Sequence, residues 1–437
     1  MNSGTPLQTL YLFPGKSAYI AGGEILFLSL AKSFKHIFDV HILLQEGAAK
    51  ALFLRENISG ITLHFLNPNS RFSLDDSGIL LCSAGGFTQI CQSVLPSACK
   101  LVVWTLHTLE LFSSTAPFTH SLPSIIGPKI STHYTRKMTQ GTNFLEVIDK
   151  LYMQRGLYFM DYNTLQYAQY ILNYTFNQPG AILPLPLPEK ETISPPHYVP
   201  GSRLELAWLG RIESFKIPIL CYLLSRLEQE STSFSVPIRM HIIGDGKSME
   251  QIKTLVSTFK NFETVFHGFC SPETLDPLIS SMHLIFAMGT SAVHSGLCGV
   301  PTVLLDYSDQ PIPENGYQFS WLYDQVAGSL AQDINMPYFH QNVTFSLSEI
   351  VHLCATQFED VAQKTRLYTQ THHCSGALSA LKDALLDSSA PVSLAFDLRA
   401  KTVFYRIVFW ALTSLREFLL NRKKVPTYSF LKESKLS

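Results

Sequence analysis

Two cations stand five residues apart just beyond an apolar run: Leu209-Gly210-Arg211 closes the run and Lys216 opens the next helical pattern. A guanidinium fork beside an ammonium point charge is the compact positive charge that a diphosphate needs. A second stretch, FAMGTSAVHSGLCGVPTVLLD from Phe286 to Asp306, runs from a strand end through a turn and a short helix into another strand. Gly289 centres the turn, Thr290 or Ser291 is expected to cap the helix, and Gly296 with Gly299-Val300-Pro301 is expected to end it. A helix that opens just past a strand's carboxyl end offers unpaired N–H groups and partial positive charge to an anion.

Those groups need a scaffold, and the apolar pattern supplies two. Residues 1–185 alternate strand-like runs (Leu10–Phe13, Phe38–Leu44, Gly60–Phe65, Gly78–Cys82, Leu101–Leu106, then Gly156–Asp161) with helical patterns, beginning with Glu24–Phe34 after Gly22-Gly23. This alternation predicts a mostly parallel sheet with helices on both faces, a Rossmann-like α/β domain. Gly22 and Gly23 let a ligand approach the backbone at the end of the first strand, and His107 ends a later strand at the sheet's rim. A Pro-rich stretch, 186–203, reads as a linker, and residues 204–388 begin a second alternation. Its strands 204–209, 238–243, 264–266 and 284–286 each run into a Gly-containing loop, including Ile243-Gly244-Asp245-Gly246, which puts the binding face on one sheet edge.

Several chemistries are excluded. Gly15-Lys16-Ser17 imitates the end of a phosphate-binding loop, but Leu10 stands where that pattern needs its first glycine, and no GxGxxG follows the first strand. The net charge of −1 argues against a nucleic-acid partner. The eight cysteines form no CxxC pair and read as buried free thiols, and His372-His373-Cys374 lacks the spacing of a zinc site, so no metal is expected. No apolar run reaches the ~18 residues of a membrane span, and the N-terminus does not read as a signal peptide, which places the chain in the cytoplasm. The tail, 389–437, interleaves Arg399, Lys401, Arg406, Arg416, Arg422, Lys423 and Lys424 with aromatic and apolar residues, as a C-terminal helix on an anionic membrane surface would, over 397–424.

Residues 204–306 resemble the nucleotide-sugar domain of the GT-B-fold glycosyltransferases, in particular glycosyl transferases group one. Leu209-Gly210-Arg211 with Lys216 resembles the GR…K element whose cations hold the donor diphosphate. Ile242-Ile243-Gly244-Asp245-Gly246 resembles the strand-then-GxG segment, and Phe266-His267-Gly268-Phe269 with the 286–306 stretch resembles the strand, helix and EX7E region. The resemblance implies two Rossmann-like domains facing a cleft, a nucleotide-sugar donor as substrate with no bound cofactor, and a glycan or lipid-linked acceptor. It implies metal-independent, hexosyltransferase-like transfer in cell-surface polysaccharide synthesis. Carried over by position, Phe286 and His294 take the places of the two EX7E glutamates, while Gly289 keeps the turn glycine. The phosphate cradle is retained while the sugar and ribose contacts change, His294 offering the ribose one imidazole acceptor. On the acceptor side Gly22-Gly23 matches the family's glycine loop and His107 its histidine beside the transferred sugar; neither Glu110 nor Asp161 is assigned as a general base. Loss of both acidic positions motivates the alternative of a silent GT-B module that binds a glycan or protein.

Overall fold

The computed structural model of the chain describes residues 7–15, 22–56, 58–67, 69–108, 110–112, 143–177, 180–188, 197–325 and 328–398. The loop residues 16–21, the linker residues 189–196 and the basic aromatic tail from 399 onward lie outside them, and with the tail lies the expected membrane-binding segment.

The first unit runs β1 (Thr9–Phe13), α1 (Gly22–Phe34), β2 (Asp39–Leu44), α2 (Ala48–Glu56), β3 (Ile61–Phe65), β4 (Ile79–Ser83), α3 (Ala84–Ser93), β5 (Lys100–Thr105), α4 (Phe144–Met153), β6 (Leu157–Phe159) and α5 (Tyr162–Leu172). Its six strands are parallel in the order β3-β2-β1-β4-β5-β6. Every residue of β4 is buried, as its unbroken apolar sequence requires of a strand covered on both faces.

The second unit runs β7 (Leu204–Leu209), α6 (Ile217–Glu230), β8 (Ile238–Ile243), α7 (Met249–Val256), β9 (Glu263–Gly268), α8 (Pro272–Ser280), β10 (Leu284–Ala287), α9 (Thr290–Leu297), β11 (Thr302–Leu304), β12 (Ser320–Trp321), α10 (Leu347–Thr356), α11 (Phe358–His373) and α12 (Ser375–Asp387). The order is β12-β11-β10-β7-β8-β9, parallel except for β12. The chain thus folds as two Rossmann-like α/β domains facing a cleft, the GT-B architecture.

In each sheet the strand order reverses once, between β1 and β4 in the first and between β7 and β10 in the second. Open α/β sheets bind ligands outside the strand carboxyl ends at such a reversal. Gly22-Gly23 open α1 after β1, Gly210-Arg211 follow β7, and Gly289-Thr290 lead from β10 into α9, so three of the expected elements stand at these points.

The chain's return departs from the domain limits read in the sequence. Leu381, Ala384 and Leu385 of α12 share a buried cluster with Val102 and Trp104 of the first sheet. Beyond α12, Leu101 N donates to Ala390 O at 2.6 Å and Val392 N to Cys99 O at 2.8 Å. Gly156 admits this crossing, since a Cβ there would lie 2.5 Å from that of Ala390. Residues 375–398 therefore complete the first unit, whereas the sequence assigns those up to 388 to the second. All eight cysteines are free. His373 is buried and pins the linker: its Nδ1–H donates to Leu185 O at 3.1 Å, while Leu187 N donates to His373 O at 2.7 Å.

Candidate active site

The loops after β7 and β8 are pressed together backbone on backbone. Ile243 O accepts from Gly210 N at 3.0 Å, and Asp245 O accepts from Ile212 N at 3.0 Å. A Cβ on Gly244 would collide with the Gly210 carbonyl, and Gly244 has a φ of +135° that L side chains rarely adopt. Gly244 therefore shapes the loop after β7 through packing, and Trp208 Nε1 fixes the same loop by donating to Gly210 O at 3.0 Å.

Arg211 and Lys216 flank this loop. Arg211 is half exposed, its Nη1 3.9 Å from Glu213 Oε1. Lys216 Nζ lies 5.7 Å from the centre of the Phe215 ring and would be 3.5 Å from a Cβ on Gly210. Burial first, and the Arg211 guanidinium second, bring its ammonium down to about 8, against the opposing pull of Glu213. A cation held at that cost gains most from an arriving anion.

Across β7, Leu209 pairs in register with Ala287 of β10, so Gly210 and Met288-Gly289 leave the sheet side by side. Here the structure corrects the expected cap. Gly289, at φ +63°, is itself the N-cap, and neither Thr290 nor Ser291 makes a capping bond. The N–H groups of Thr290 and Ser291, in the first turn of α9, have no acceptor within the helix. Gly296 does not end α9 either; it lies inside it, where a Cβ would come 2.5 Å from Thr369 Cγ2 of α11. The helix ends at Leu297, and Gly299 follows at φ +75°.

Phe286 and His294 have different surroundings. Phe286 is fully buried on β10 against Phe319, 6.0 Å between ring centres, and presents no face to the cleft. His294 is partly buried, and its Nε2 is 2.6 Å from Asp276 Oδ1 on α8. Of the aromatic residues after Asp306, Tyr317, Phe319 and Trp321 enter the second core, and Tyr307 packs against it, partly buried.

First-domain residues meet these groups directly. A Cβ on Gly22 would lie 3.6 Å from Thr290 Oγ1, so the glycine loop abuts the start of α9. His107 stacks on Tyr307 with 6.3 Å between ring centres, Thr108 Oγ1 and Tyr307 Oη are 3.0 Å apart, and Phe215 meets Tyr307 edge-on at 5.8 Å. His107, Tyr307, Phe215 and Lys216 thus form one line of contacts across the cleft. Tyr307 belongs to the aromatic stretch after Asp306 that the sequence suggests as an interdomain loop, whereas Phe215 was not singled out, because an aromatic residue at a helix start reads equally well as core.

Two acids behind this line behave differently. Glu110 Oε2 accepts from Leu106 N at 3.1 Å. Burial, opposed by that hydrogen bond and reinforced by nearby Glu24, pushes its carboxyl up to about 7. Asp161 is structural: Oδ1 caps α5 through Thr164 N at 2.7 Å, and Oδ2 accepts from Leu330 N at 3.1 Å. Leu330 O in turn accepts from Gly289 N at 2.8 Å, so one residue links a first-domain carboxylate to the turn before α9.

The sequence matches no protein-family model, and a search of curated proteins finds no relative. Among solved structures the fold is similar to Anabaena Alr3699/HepE in complex with UDP-glucose, at 12% identity over 86% of this chain and 98% of that one, TM-score 0.48. It is similar also to the lipopolysaccharide outer core galactosyltransferase WaaB, at 10% identity over 87% and 99%, TM-score 0.47. WaaG, a glycosyltransferase involved in lipopolysaccharide biosynthesis, gives 12% identity over 86% and 99%, TM-score 0.45.

Proposed function

We propose that this chain is a nucleotide-sugar-dependent glycosyltransferase that passes a hexose to a glycan or lipid-linked acceptor in polysaccharide synthesis. The observation that carries the proposal is the convergence of Arg211, Lys216 and the start of α9 at the strand-order reversal of the second sheet, opposite the Gly22-Gly23 loop. In this reading Arg211 and Lys216 hold the donor diphosphate, and the N–H groups of Thr290 and Ser291 beyond Gly289 complete the cradle. Together they stabilise the charge that builds on the departing nucleoside diphosphate. Gly244 keeps the loop low enough for the diphosphate to settle. His107, braced on Tyr307, stands on the acceptor side beside the transferred sugar, and Gly22-Gly23 leave room for the acceptor. His294, tied to Asp276, reaches a ribose hydroxyl only with its remaining polarity. Protein placed on the cytosolic face of a membrane would meet a lipid-linked acceptor there.

The test is a thermal-shift screen against UDP, GDP, CDP, dTDP and their sugars, with Arg211→Ala and Lys216→Ala alongside. Ligand at about a hundred times its dissociation constant adds ~2.7 kcal/mol of stability. Stabilisation by one nucleotide family, lost in both variants, is the expected result. Silence towards every nucleotide would defeat the donor-site reading and leave a binding module.

A further inference from the structure

One side-chain cluster joins helices α8 and α9 of the second domain. His294 and Cys298 are four residues apart at the end of α9, which puts both on one face, and Asp276 of α8 faces them. One ligand atom from each of Asp276, His294 and Cys298 lies within 4.8 Å of the other two. We propose that Asp276, His294 and Cys298 form a zinc site that clamps α8 to α9.

The chemistry of the donor set selects the ion. A thiolate, an imidazole and a carboxylate are the ligands zinc takes, and thiolate disfavours magnesium and calcium. Metal–ligand bonds of ~2.0–2.3 Å in a tetrahedron set ligand atoms ~3.3–3.8 Å apart. With its ligand atoms all within 4.8 Å of one another, the cluster reaches that size by small side-chain shifts. The 2.6 Å approach of His294 Nε2 to Asp276 Oδ1 is shorter, so the ion replaces this hydrogen bond and the pair opens by under about 1 Å. The Cys298 thiol, 1% exposed, gives its proton to solvent as the metal–sulfur bond forms. His294 and Asp276 keep 25% and 31% of their side-chain surface, so the fourth position opens to solvent and takes water.

A clamp here acts on the cradle at a distance. The ligands sit at the carboxyl end of α9, and the opposite end of the same short helix begins at Thr290. Fixing one end against α8 fixes the direction in which the other presents its N–H groups. The site shares His294 with the proposed donor site, but it would bind its ion without nucleotide.

The experiment uses the full chain, stripped with chelator and titrated with Zn2+ and separately with Co2+. One equivalent of zinc per chain is expected, with a rise in Tm. Cobalt should give the intense visible bands of a tetrahedral ion and a thiolate-to-metal charge-transfer band. Cys298→Ser should abolish the charge-transfer band, and Asp276→Asn and His294→Gln, which remove direct ligands, should each weaken zinc binding by more than the ~10–100-fold typical of losing an outer-shell partner. Asp276→Asn, at the more exposed end, guards against a variant that simply misfolds. Absence of the charge-transfer band in the parent chain, or an unchanged cobalt spectrum in Cys298→Ser, would overturn the proposal. Nucleotide binding, measured on the parent chain and on Cys298→Ser and Asp276→Asn, which have no assigned donor role, separates this failure from failure of the donor site.

Discussion

Raising the pH from 7 to 9 removes the charge from Lys216 while leaving Arg211 charged. With an ammonium brought down to about 8 by burial and by Arg211, roughly nine-tenths of the molecules carry the charge at pH 7 and one-tenth at pH 9. A diphosphate has completed its own last ionisation by then. If only the charged form holds the diphosphate, the apparent dissociation constant rises ~10-fold over this interval, or ~1.4 kcal/mol. The stability of the free protein moves the opposite way. Between about 8 and the unfolded value near 10.5 the unfolded chain binds more protons at this site, so stability climbs with pH. Calorimetric titration with the nucleoside diphosphate that the thermal screen selects reads the affinity directly. Lys216→Arg, charged throughout, should give a flat profile, and Lys216→Ala a weak one at every pH. An affinity that stays level from pH 7 to 9 in the parent chain, or the same slope in Lys216→Arg, would refute the reasoning.

Other perturbations probe the frame of the site. Gly244→Ala should cost ~3 kcal/mol or more, because its Cβ meets a backbone carbonyl and its φ is unsuited to alanine; an unchanged Tm would contradict the packing described. Asp161→Ala removes a helix cap worth ~1 kcal/mol and leaves Leu330 N buried without its acceptor at ~1–3 kcal/mol, so denaturant unfolding should show a loss of ~2–4 kcal/mol. Asp161→Asn keeps one acceptor oxygen and should recover part of that loss. His373 is held neutral by burial, its pKa lowered to about 4. Between the unfolded value near 6.5 and about 4 the unfolded chain takes up the proton, so stability falls as pH drops through that window. Thermal melts of His373→Phe across the window should lose this acid-sensitive component.

Strand positions were readable because buried parallel strands are written as short apolar runs that end in glycine, and Leu204–Leu209 and Ile238–Ile243 carry both marks. The cation pair was readable for the same reason, since a residue just past such a run has one place to go. What the sequence hides is supplied by partners distant in the chain. Nothing near Gly296 announces that Thr369 will press against it, so an interior glycine reads as a helix stop. The pairing of His294 Nε2 with Asp276, on a different helix, leaves no mark in the sequence around His294. Thr290 and Ser291 look like caps, but the left-handed turn at Gly289 already fixes the helix start. Two-residue β12 is too short to leave a periodic trace.

The return of residues 375–398 to the first sheet makes the molecule's halves discontinuous in the chain. Cutting at the Pro-rich linker would not release two autonomous folding units. The piece ending near 185 would lack the segment whose Ala390 and Val392 bond to β5 and Cys99, and would expose the apolar face that Leu381 and Leu385 cover. The other piece would carry that same segment with nothing to cover it. Unfolding of either sheet is therefore tied to the other through one crossing segment, and the two should melt as a single cooperative transition.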